Sequence, residues 1–418
     1  MNREPDILSR RLTLMSGQNV SVDLNHPVHR FPGNPLLSAL DVNKEWADPG
    51  LRVTTVHNAG AASYGGETIM LFRSHLRSGM SVLGIARSAD GMDKWRVDAR
   101  PALLPAREED TFAPGTDKHA LIEAESGGVE DPRITRLGDT YLITYSAYHS
   151  RIKNRVRVCL ASTSNFKAFT RWGPVLDRDM RNVVIFPEKI RGRYAALFRP
   201  NDTTAGDVGG IFTGIRIGFG EDWRTCAWDI PKDPIIRSGD GPSAISDKIG
   251  PGAPPLKTPH GWLSIFHGVR STMDGNPYVL SAALHDPDDP ARVKVSDIPI
   301  LFPSQADCRT ADEQYVHVPN VVFTCGALRK DDGTILLYYG GNDTVMNLGL
   351  THEDVLAALC ERYGRDPLTG ERLYSLLHGS CLRTQGLEVP GEPVEALGGL
   401  GVSRHERRPP ARAQKRRV

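Results

Sequence analysis

The chain has no run of eighteen or more apolar residues, so no stretch of it is long enough to cross a bilayer as a helix. Its opening residues, Met1-Asn2-Arg3-Glu4-Pro5-Asp6, lack the apolar core of a secretory signal. Cysteine is sparse and scattered: Cys159, Cys226, Cys308, Cys325, Cys360 and Cys381 include no Cys-x-x-Cys pair. That spacing argues against a disulfide framework or a structural zinc site and points to reduced thiols. His-x-His, His-Glu-x-x-His and dense acid clusters are missing too, so no metal site is expected. The acids Asp286, Asp288 and Asp289 resemble a calcium loop only loosely, because Pro287 and Pro290 break it, and a turn is expected there. These absences lead to the expectation of a cytoplasmic protein that uses no metal and no membrane.

A net excess of either sign of charge is nearly absent as well. The formal net charge is +1. The balance hides an asymmetry, because Arg404, Arg407, Arg408, Arg412, Lys415, Arg416 and Arg417 crowd the last residues against Glu406 alone. A nucleic-acid contact is one reading of that tail. With Pro409 and Pro410 in it, a disordered, solvated end is the expectation, with no nucleic-acid partner. The rest of the chain is therefore mildly acidic. At 418 residues it has room for two or three domains, although all-β folds often run this long as one.

What is present is a repeat. Five apolar strand-like runs share one pattern: 68–73, 141–145, 194–199, 262–267 and 334–339. A second run follows each, at 82–86, 156–161, 215–218, 278–283 and 346–350. The spacing is irregular, roughly 50–75 residues, within reach of a propeller blade with insertions. The expected fold is all-β, a five-bladed β-propeller over 31–350, because radial closure shields the sheet edges. A pair of β-sandwiches is the alternative. Residues 1–30 are expected as an N-terminal arm, with weak helical spacing at Ile7, Leu8, Leu12 and Leu14. Residues 351–403 are expected to open on a helix over Glu353–Leu359, N-capped by Thr351, and to brace the propeller or an oligomer contact; 404–418 form the tail.

The stretch that bears chemistry is Gly128-Val129-Glu130-Asp131-Pro132-Arg133-Ile134, just ahead of the run at 141–145. Pro132 biases Asp131 toward an extended backbone, which would send Glu130 and Asp131 to opposite sides. One acid would then face a cavity while the other holds the loop. Arg73, Arg199 and His267 end three of the repeat strands, so three cations are expected to converge near the axis. Lys248 precedes the Gly-rich turn Gly250-Pro251-Gly252. Each residue alone has a structural explanation, as a strand-end salt bridge, a core histidine or a solvated lysine. Together they point to an anion site, since like charges repel unless a ligand compensates.

These residues carry a resemblance. The chain is similar to glycoside hydrolase family 130, the β-mannoside phosphorylases and related hydrolases. The matching stretches are 128–134, 181–190, 248–255, 261–269, 318–326 and 338–343, in order. The resemblance implies a five-bladed propeller. It implies Asp131 as proton donor, acting through the mannose 3-hydroxyl on the bridging oxygen. Arg199, Lys248, His267 and Tyr278 match the residues that hold phosphate. Asn58, Arg73, Arg181, Asn182 and Asp343 match those that line the mannose subsite. Ala59 and Glu130 depart from the pattern, where other members have a hydroxyl and an aromatic, and both bear on the acceptor side. A whole-chain likeness to the mannosylglucose branch implies glucose as the acceptor sugar.

The chemistry agrees with this reading. An inverting hydrolase needs two carboxylates with room for a water between them. A phosphorylase needs one acid, because phosphate is already a charged nucleophile and needs cations to hold it in line. The expected reaction is inverting phosphorolysis of a β-mannoside to α-mannose 1-phosphate, with phosphate as co-substrate, no cofactor and a homo-oligomeric assembly. A β-mannoside hydrolase on the same fold and a non-catalytic sugar-binding propeller are the alternatives.

Overall fold

All ten strand-like runs lie in β-strands, and each belongs to an antiparallel meander. The computed structural model describes residues 8–365, apart from Met15, 153–154, 202–213, Cys226, 239–243, Ser246, Asp274, Asp297, 311–314 and Tyr363. Cys381, most of the bracing segment to 403 and the basic tail therefore lie outside the described residues.

The chain begins with a hairpin, β1 (Ser9–Thr13) and β2 (Asn19–Asp23), paired Leu12 to Val20. The arm's weak helical spacing does not produce a helix over Ser9–Asp23. Instead Leu12, Val20 and Val22 alternate buried with exposed neighbours, a period of two that fits a strand. The short strand β3 (His29–Arg30) and the helix α1 (Ala39–Glu45) come next.

Five meanders then follow. The first is β4 (His57–Tyr64), β5 (Glu67–His75), β6 (Ser81–Ser88) and β7 (Arg96–Val97). After α2 (Lys118–Ala124), the second is β8 (Gly128–Leu137), β9 (Thr140–Tyr148), β10 (Val156–Thr163) and β11 (Thr170–Pro174). One parallel pair, Ser81 with Gly128, joins these two into an eight-stranded sheet. The third is β12 (Met180–Ile185), β13 (Tyr194–Pro200), β14 (Gly214–Gly220) and β15 (Ile236–Arg237). The fourth is β16 (Lys248–Pro251), β17 (Leu256–Thr258), β18 (Gly261–Val269), β19 (Tyr278–His285) and β20 (Val293–Ser296). The fifth is β21 (Val322–Arg329), β22 (Thr334–Gly341) and β23 (Val345–His352), completed by β3, which pairs with β23 through Gly349 and Leu350.

Five hydrophobic clusters each bridge one meander to the next. Leu71 and Ile85 meet Val129 and Ile143 between the first and second. Leu142 and Leu160 meet Val183 and Phe198 between the second and third. Leu197 and Ile217 meet Ile249 and Phe266 between the third and fourth. Ile265 and Leu280 meet Val322 and Leu337 between the fourth and fifth. Tyr338 and Leu348 meet Met70 and Phe72, which joins the last meander to the first. β21 also packs directly on β4.

The helix α3 (Glu353–Arg362) leaves β23 without a loop and buries Leu356, Leu359 and Cys360 in the cluster of the fourth and fifth meanders. A two-residue strand, β24 (Gly364–Arg365), pairs with β20 behind it. Thr351 does not cap α3. It is a buried strand residue, held in β23 because the ladder with β22 continues as far as the pair Thr334–His352. The first turn is served by His352, whose Nδ1 accepts from the Asp354 backbone N–H at 3.1 Å. Asp286 sits in the expected turn, its Oδ1 accepting from the N–H groups of Asp288 and Asp289 at 2.9 and 3.0 Å.

One buried cluster was not foreseen. Glu125, fully buried after α2, accepts from Arg171 Nη1 at 2.7 Å, the Tyr145 hydroxyl at 2.6 Å and the Ala106 N–H at 2.8 Å. Burial pushes its carboxyl above the usual range, against the pull of Arg171. These bonds anchor the chain as it enters β8.

Candidate active site

The opening strands of the first three meanders, β4, β8 and β12, share one irregularity. In each, three steps along the strand face two on its neighbour: His57 to Gly60 against Arg73 to Leu71, Glu130 to Arg133 against Ser146 to Thr144, and Arg181 to Val184 against Arg199 to Leu197. These are β-bulges, which re-aim a side chain out of the ladder. Within each bulge one residue takes a left-handed backbone: Asn58 (φ 50°), Asp131 (φ 48°) and Asn182 (φ 56°). Asn and Asp tolerate that conformation best among residues with a side chain. All three are buried.

Asp131 thus lies inside β8, not ahead of it, and it is not extended. The consequence reverses an expectation. Glu130 and Asp131 do not point to opposite sides but share one guanidinium: Arg73 Nη1 donates to Asp131 Oδ1 at 2.9 Å, and Arg73 Nη2 donates to Glu130 Oε1 at 2.8 Å. Ser81 Oγ also donates to Glu130 at 3.0 Å, and Asn58 Nδ2 donates to Asp131 Oδ1 at 2.9 Å. Burial alone would lift the Asp131 carboxyl. The charges of Arg73 and Arg133, with the bonds from Asn58 and Arg73, outweigh it and hold the carboxyl below its usual range. Burial likewise works against the Arg73 guanidinium, yet Glu130, Asp131 and Asp343 keep it raised.

Asp343 follows β22 in a turn, with φ 48°. Burial pushes its carboxyl up to about 6; Asp131 and Glu130 add to this, while Arg73 and a hydrogen bond with Asn58 oppose it. Asn58, Arg73, Asp131 and Asp343 therefore form one polar group.

Arg133 was not singled out by the sequence, yet it organises the site. It is 2% exposed. Its Nη1 donates to the Asp131 carbonyl at 2.8 Å, its Nη2 to Asn182 Oδ1 at 2.9 Å and its Nε to the Gly252 carbonyl at 2.8 Å. One side chain therefore ties the second, third and fourth meanders together beneath Asp131. Its position two residues beyond the acid was the available signal.

The remaining cations gather elsewhere. Arg199, on β13, is buried and stands opposite Arg181 in the ladder. Burial, and then Arg181, push its guanidinium down to about 10. His267, on β18, is buried against Phe323 at 4.6 Å and Tyr278 at 5.9 Å between ring centres. Its imidazole is held well below its usual range by burial, then by Arg199 and Arg133, with Lys248 adding to this. Burial raises the Tyr278 hydroxyl, while Arg199 and Arg181 pull it down. Lys248 is exposed at the start of β16. Gly250 lets the group close, because a Cβ there would lie 2.6 Å from His267 Cε1 and 2.7 Å from Asn182 Nδ2.

Arg181, Arg199, Lys248, His267 and Tyr278 are therefore brought together, but Arg73 does not join them as expected. Its charge is matched by the carboxylates of Glu130 and Asp131. Arg199 Nε and His267 Nδ1 are buried without hydrogen-bond partners, and none of Arg181, Arg199 and Lys248 makes an ion pair with a carboxylate among the described residues. Buried donors are normally satisfied. A cation cluster with no carboxylate ion pair among the described residues and with buried nitrogens left unpartnered is shaped for an anion, and two acids, Asp131 and Asp343, act on it.

The comparisons with known proteins agree. A family model described as beta-1,4-mannooligosaccharide phosphorylase, that of glycoside hydrolase family 130, matches residues 27–362. The chain is 35% identical over 272 residues to a 1,2-beta-oligomannan phosphorylase of Thermoanaerobacter sp., covering 65% of this chain and 78% of that one. It is 28% identical over 385 residues to a 4-O-beta-D-mannosyl-D-glucose phosphorylase of Bacteroides fragilis, covering 86% and 90%. The solved structure of a beta-1,2-mannobiose phosphorylase from Listeria innocua, in complex with beta-1,2-mannobiose, aligns with a TM-score of 0.64 and 27% identity over 79% of this chain and 99% of that one. With most of its length matched by that model, the chain belongs to glycoside hydrolase family 130.

Proposed function

We propose that the protein is an inverting phosphorylase that converts a β-mannoside and phosphate into α-D-mannose 1-phosphate and a free sugar. The observation that carries this reading is a pair of buried, unpartnered nitrogens, the Arg199 Nε donor and His267 Nδ1, in a cation cluster beside Asp131. Phosphate supplies the missing acceptors, with Lys248 and Tyr278 closing around it. Asn58, Arg73, Arg181, Asn182 and Asp343 hold the mannose. A hydrolase would need a base on the nucleophile side. Glu130 is tied to Arg73 and Ser81, Asp343 leans on Asn58 and Arg73, and neither forms an ion pair with Arg199. The ring of packing from the first meander round to the fifth supports a closed five-bladed propeller with these residues at its axis.

Asp131 is the proton donor in this reading. With Arg73 and Arg133 beside it the carboxyl favours ionisation. The arriving phosphate offsets those cations and lifts the carboxyl, so the proton is taken up as the ternary complex forms. It then passes through the mannose 3-hydroxyl to the departing oxygen.

Glucose is the proposed leaving sugar. Support comes from the reach of the likeness to the Bacteroides fragilis protein, which extends over 86% of the chain. The test is incubation with 4-O-β-mannosylglucose, β-1,4-mannobiose and β-1,2-mannobiose, each with and without phosphate, with products read by proton spectra. Turnover that requires phosphate and yields the α-anomer is expected. Equal rates without phosphate would make the protein a hydrolase, and faster turnover of a mannobiose would replace glucose by mannose.

A further inference from the structure

The bulge in β8 leaves a backbone group without a ladder partner. Glu130 pairs with Ser146 and Arg133 with Thr144, so Asp131 and Pro132 stand outside the register. Buried carbonyls are normally hydrogen-bonded. The Asp131 carbonyl takes its donor from a side chain, Arg133 Nη1, at 2.8 Å. The left-handed backbone of the acid is therefore held by the residue two places further on, through its guanidinium.

The other arm of the same fork settles Asn182. A guanidinium has donors only, so the Asn182 atom 2.9 Å from Arg133 Nη2 is the amide oxygen. That leaves Nδ2 directed at Gly250, where a Cβ would lie 2.7 Å from Asn182 Nδ2 and 2.6 Å from His267 Cε1. A donor is thus set beside His267. Phe323 packs against both sides of this arrangement: its ring centre is 5.8 Å from Arg133 Cζ and 4.6 Å from the His267 ring.

The remaining bonds of Arg133 go to backbone. Nε donates to the Gly252 carbonyl at 2.8 Å, and Nη2 also to the Pro251 carbonyl at 3.3 Å. All four acceptors are neutral, although buried charges are normally paired. The charge acts across space on both halves of the site instead, since it pulls down the Asp131 carboxyl and the His267 imidazole. A lysine could supply the charge but not the planar fork that serves Asp131 and Asn182 together.

We propose that Arg133 is a positioning residue for the reaction: its fork fixes the backbone of the acid, Asp131, and the amide of Asn182 in one frame, so that proton donor and anion site stay aligned. This inference rests on the phosphorylase reading above.

The test is steady-state kinetics with the β-mannoside that the wild type turns over, on variants shown to be folded by chemical denaturation. Arg133→Lys keeps the charge and loses the fork. Its kcat should fall roughly 10²-fold, the cost of a misplaced acid, with the KM for phosphate nearly unchanged. A substrate with an activated leaving group should recover much of that loss. Added to Asp131→Asn, the same substitution should cost less than about tenfold more, because both act on one proton transfer. Wild-type kcat in folded Arg133→Lys overturns the proposal. So does a full 10²-fold loss on top of Asp131→Asn, which marks a role independent of the acid. Should Arg133→Lys fail to fold, Asn182→Gly decides, since it frees one arm of the fork and leaves Arg133 in place. Its kcat should fall and be recovered by the activated leaving group; a loss confined to the KM for mannoside overturns the proposal. Should the wild type cleave β-mannosides equally fast without phosphate, the phosphorylase reading falls by itself, and the same kcat and double-variant comparison, run in phosphate-free buffer, judges Arg133. Turnover of no β-mannoside at all removes both.

Discussion

Asp131 sits in its bulge with a left-handed backbone, and the side chains that bond its carboxylate, Asn58 and Arg73, are donors. Replacing it by Asn keeps the shape and removes the proton to be given. General acid assistance is worth typically 10²–10⁴-fold, so Asp131→Asn should lose that much in kcat, with much of the rate recovered on a substrate with an activated leaving group. Glu130→Gln is not an inert control, since Arg73 divides its two terminal nitrogens between the acids. A fall in kcat of about tenfold is expected, the effect of a misplaced rather than missing acid; an unchanged kcat would show that Glu130 does not help to hold Arg73. Asp343 has a separate signature. Its folded carboxyl sits at about 6, above the roughly 3.9 of an unfolded aspartate. Between those values the folded protein holds more protons than the unfolded chain, so this group's stabilisation is present below pH ~4 and lost as pH rises through ~6. Denaturant titrations of wild type and Asp343→Asn should therefore diverge across that window. Asp131, held low, works in the opposite sense, its contribution lost as pH falls through its folded pKa.

At the scale of strands, the three bulges form a device repeated in successive meanders. Asn182 shows what one of them is worth. Asn182→Ala forces an alanine to φ 56° and removes the acceptor of the buried Arg133. The left-handed backbone costs about 1–2 kcal/mol and the charged hydrogen bond about 1.5–3 kcal/mol. Asn182→Gly removes only the bond. Chemical denaturation should thus place the Gly variant between wild type and the Ala variant; a Gly variant no more stable than Ala would mean the backbone is unstrained. The bulges also explain what the sequence concealed. The apolar runs of each meander, such as 262–267 and 278–283 in β18 and β19, could be read directly. The first strands carry Asn58, Asp131 and Asn182 and break their own alternation, so 128–134 reads as a loop ahead of a strand. β7 and β15 are two residues long, too short for any periodicity. The cations were legible as residue types, but the division of Arg73 from Arg199 and His267 depends on a twist in β8 that no spacing encodes.

At the scale of the whole molecule, the contact between the last meander and the first relies on residues from the chain's beginning. Leu12, Leu14, Val20 and Val22 are buried in the cluster that joins Tyr338 and Leu348 to Phe72, and β3 lies along β23. Burying one such side chain stabilises by about 1.5–3 kcal/mol. Removal of residues 1–30 should therefore lower the midpoint of thermal unfolding sharply and leave β23 as a bare sheet edge prone to self-association; an unchanged midpoint would show that the arm is dispensable. The same pairing sets an order of events during synthesis. His29 and Arg30 leave the ribosome before any of the five meanders, yet their partners Gly349 and Leu350 are made about 320 residues later. At roughly 5–20 residues per second, that is an interval of about 15–60 s. Throughout it the nascent chain carries the hairpin's leucines and valines without the surface they belong to. The closing strand pair of the fold therefore waits on a segment translated before all five meanders.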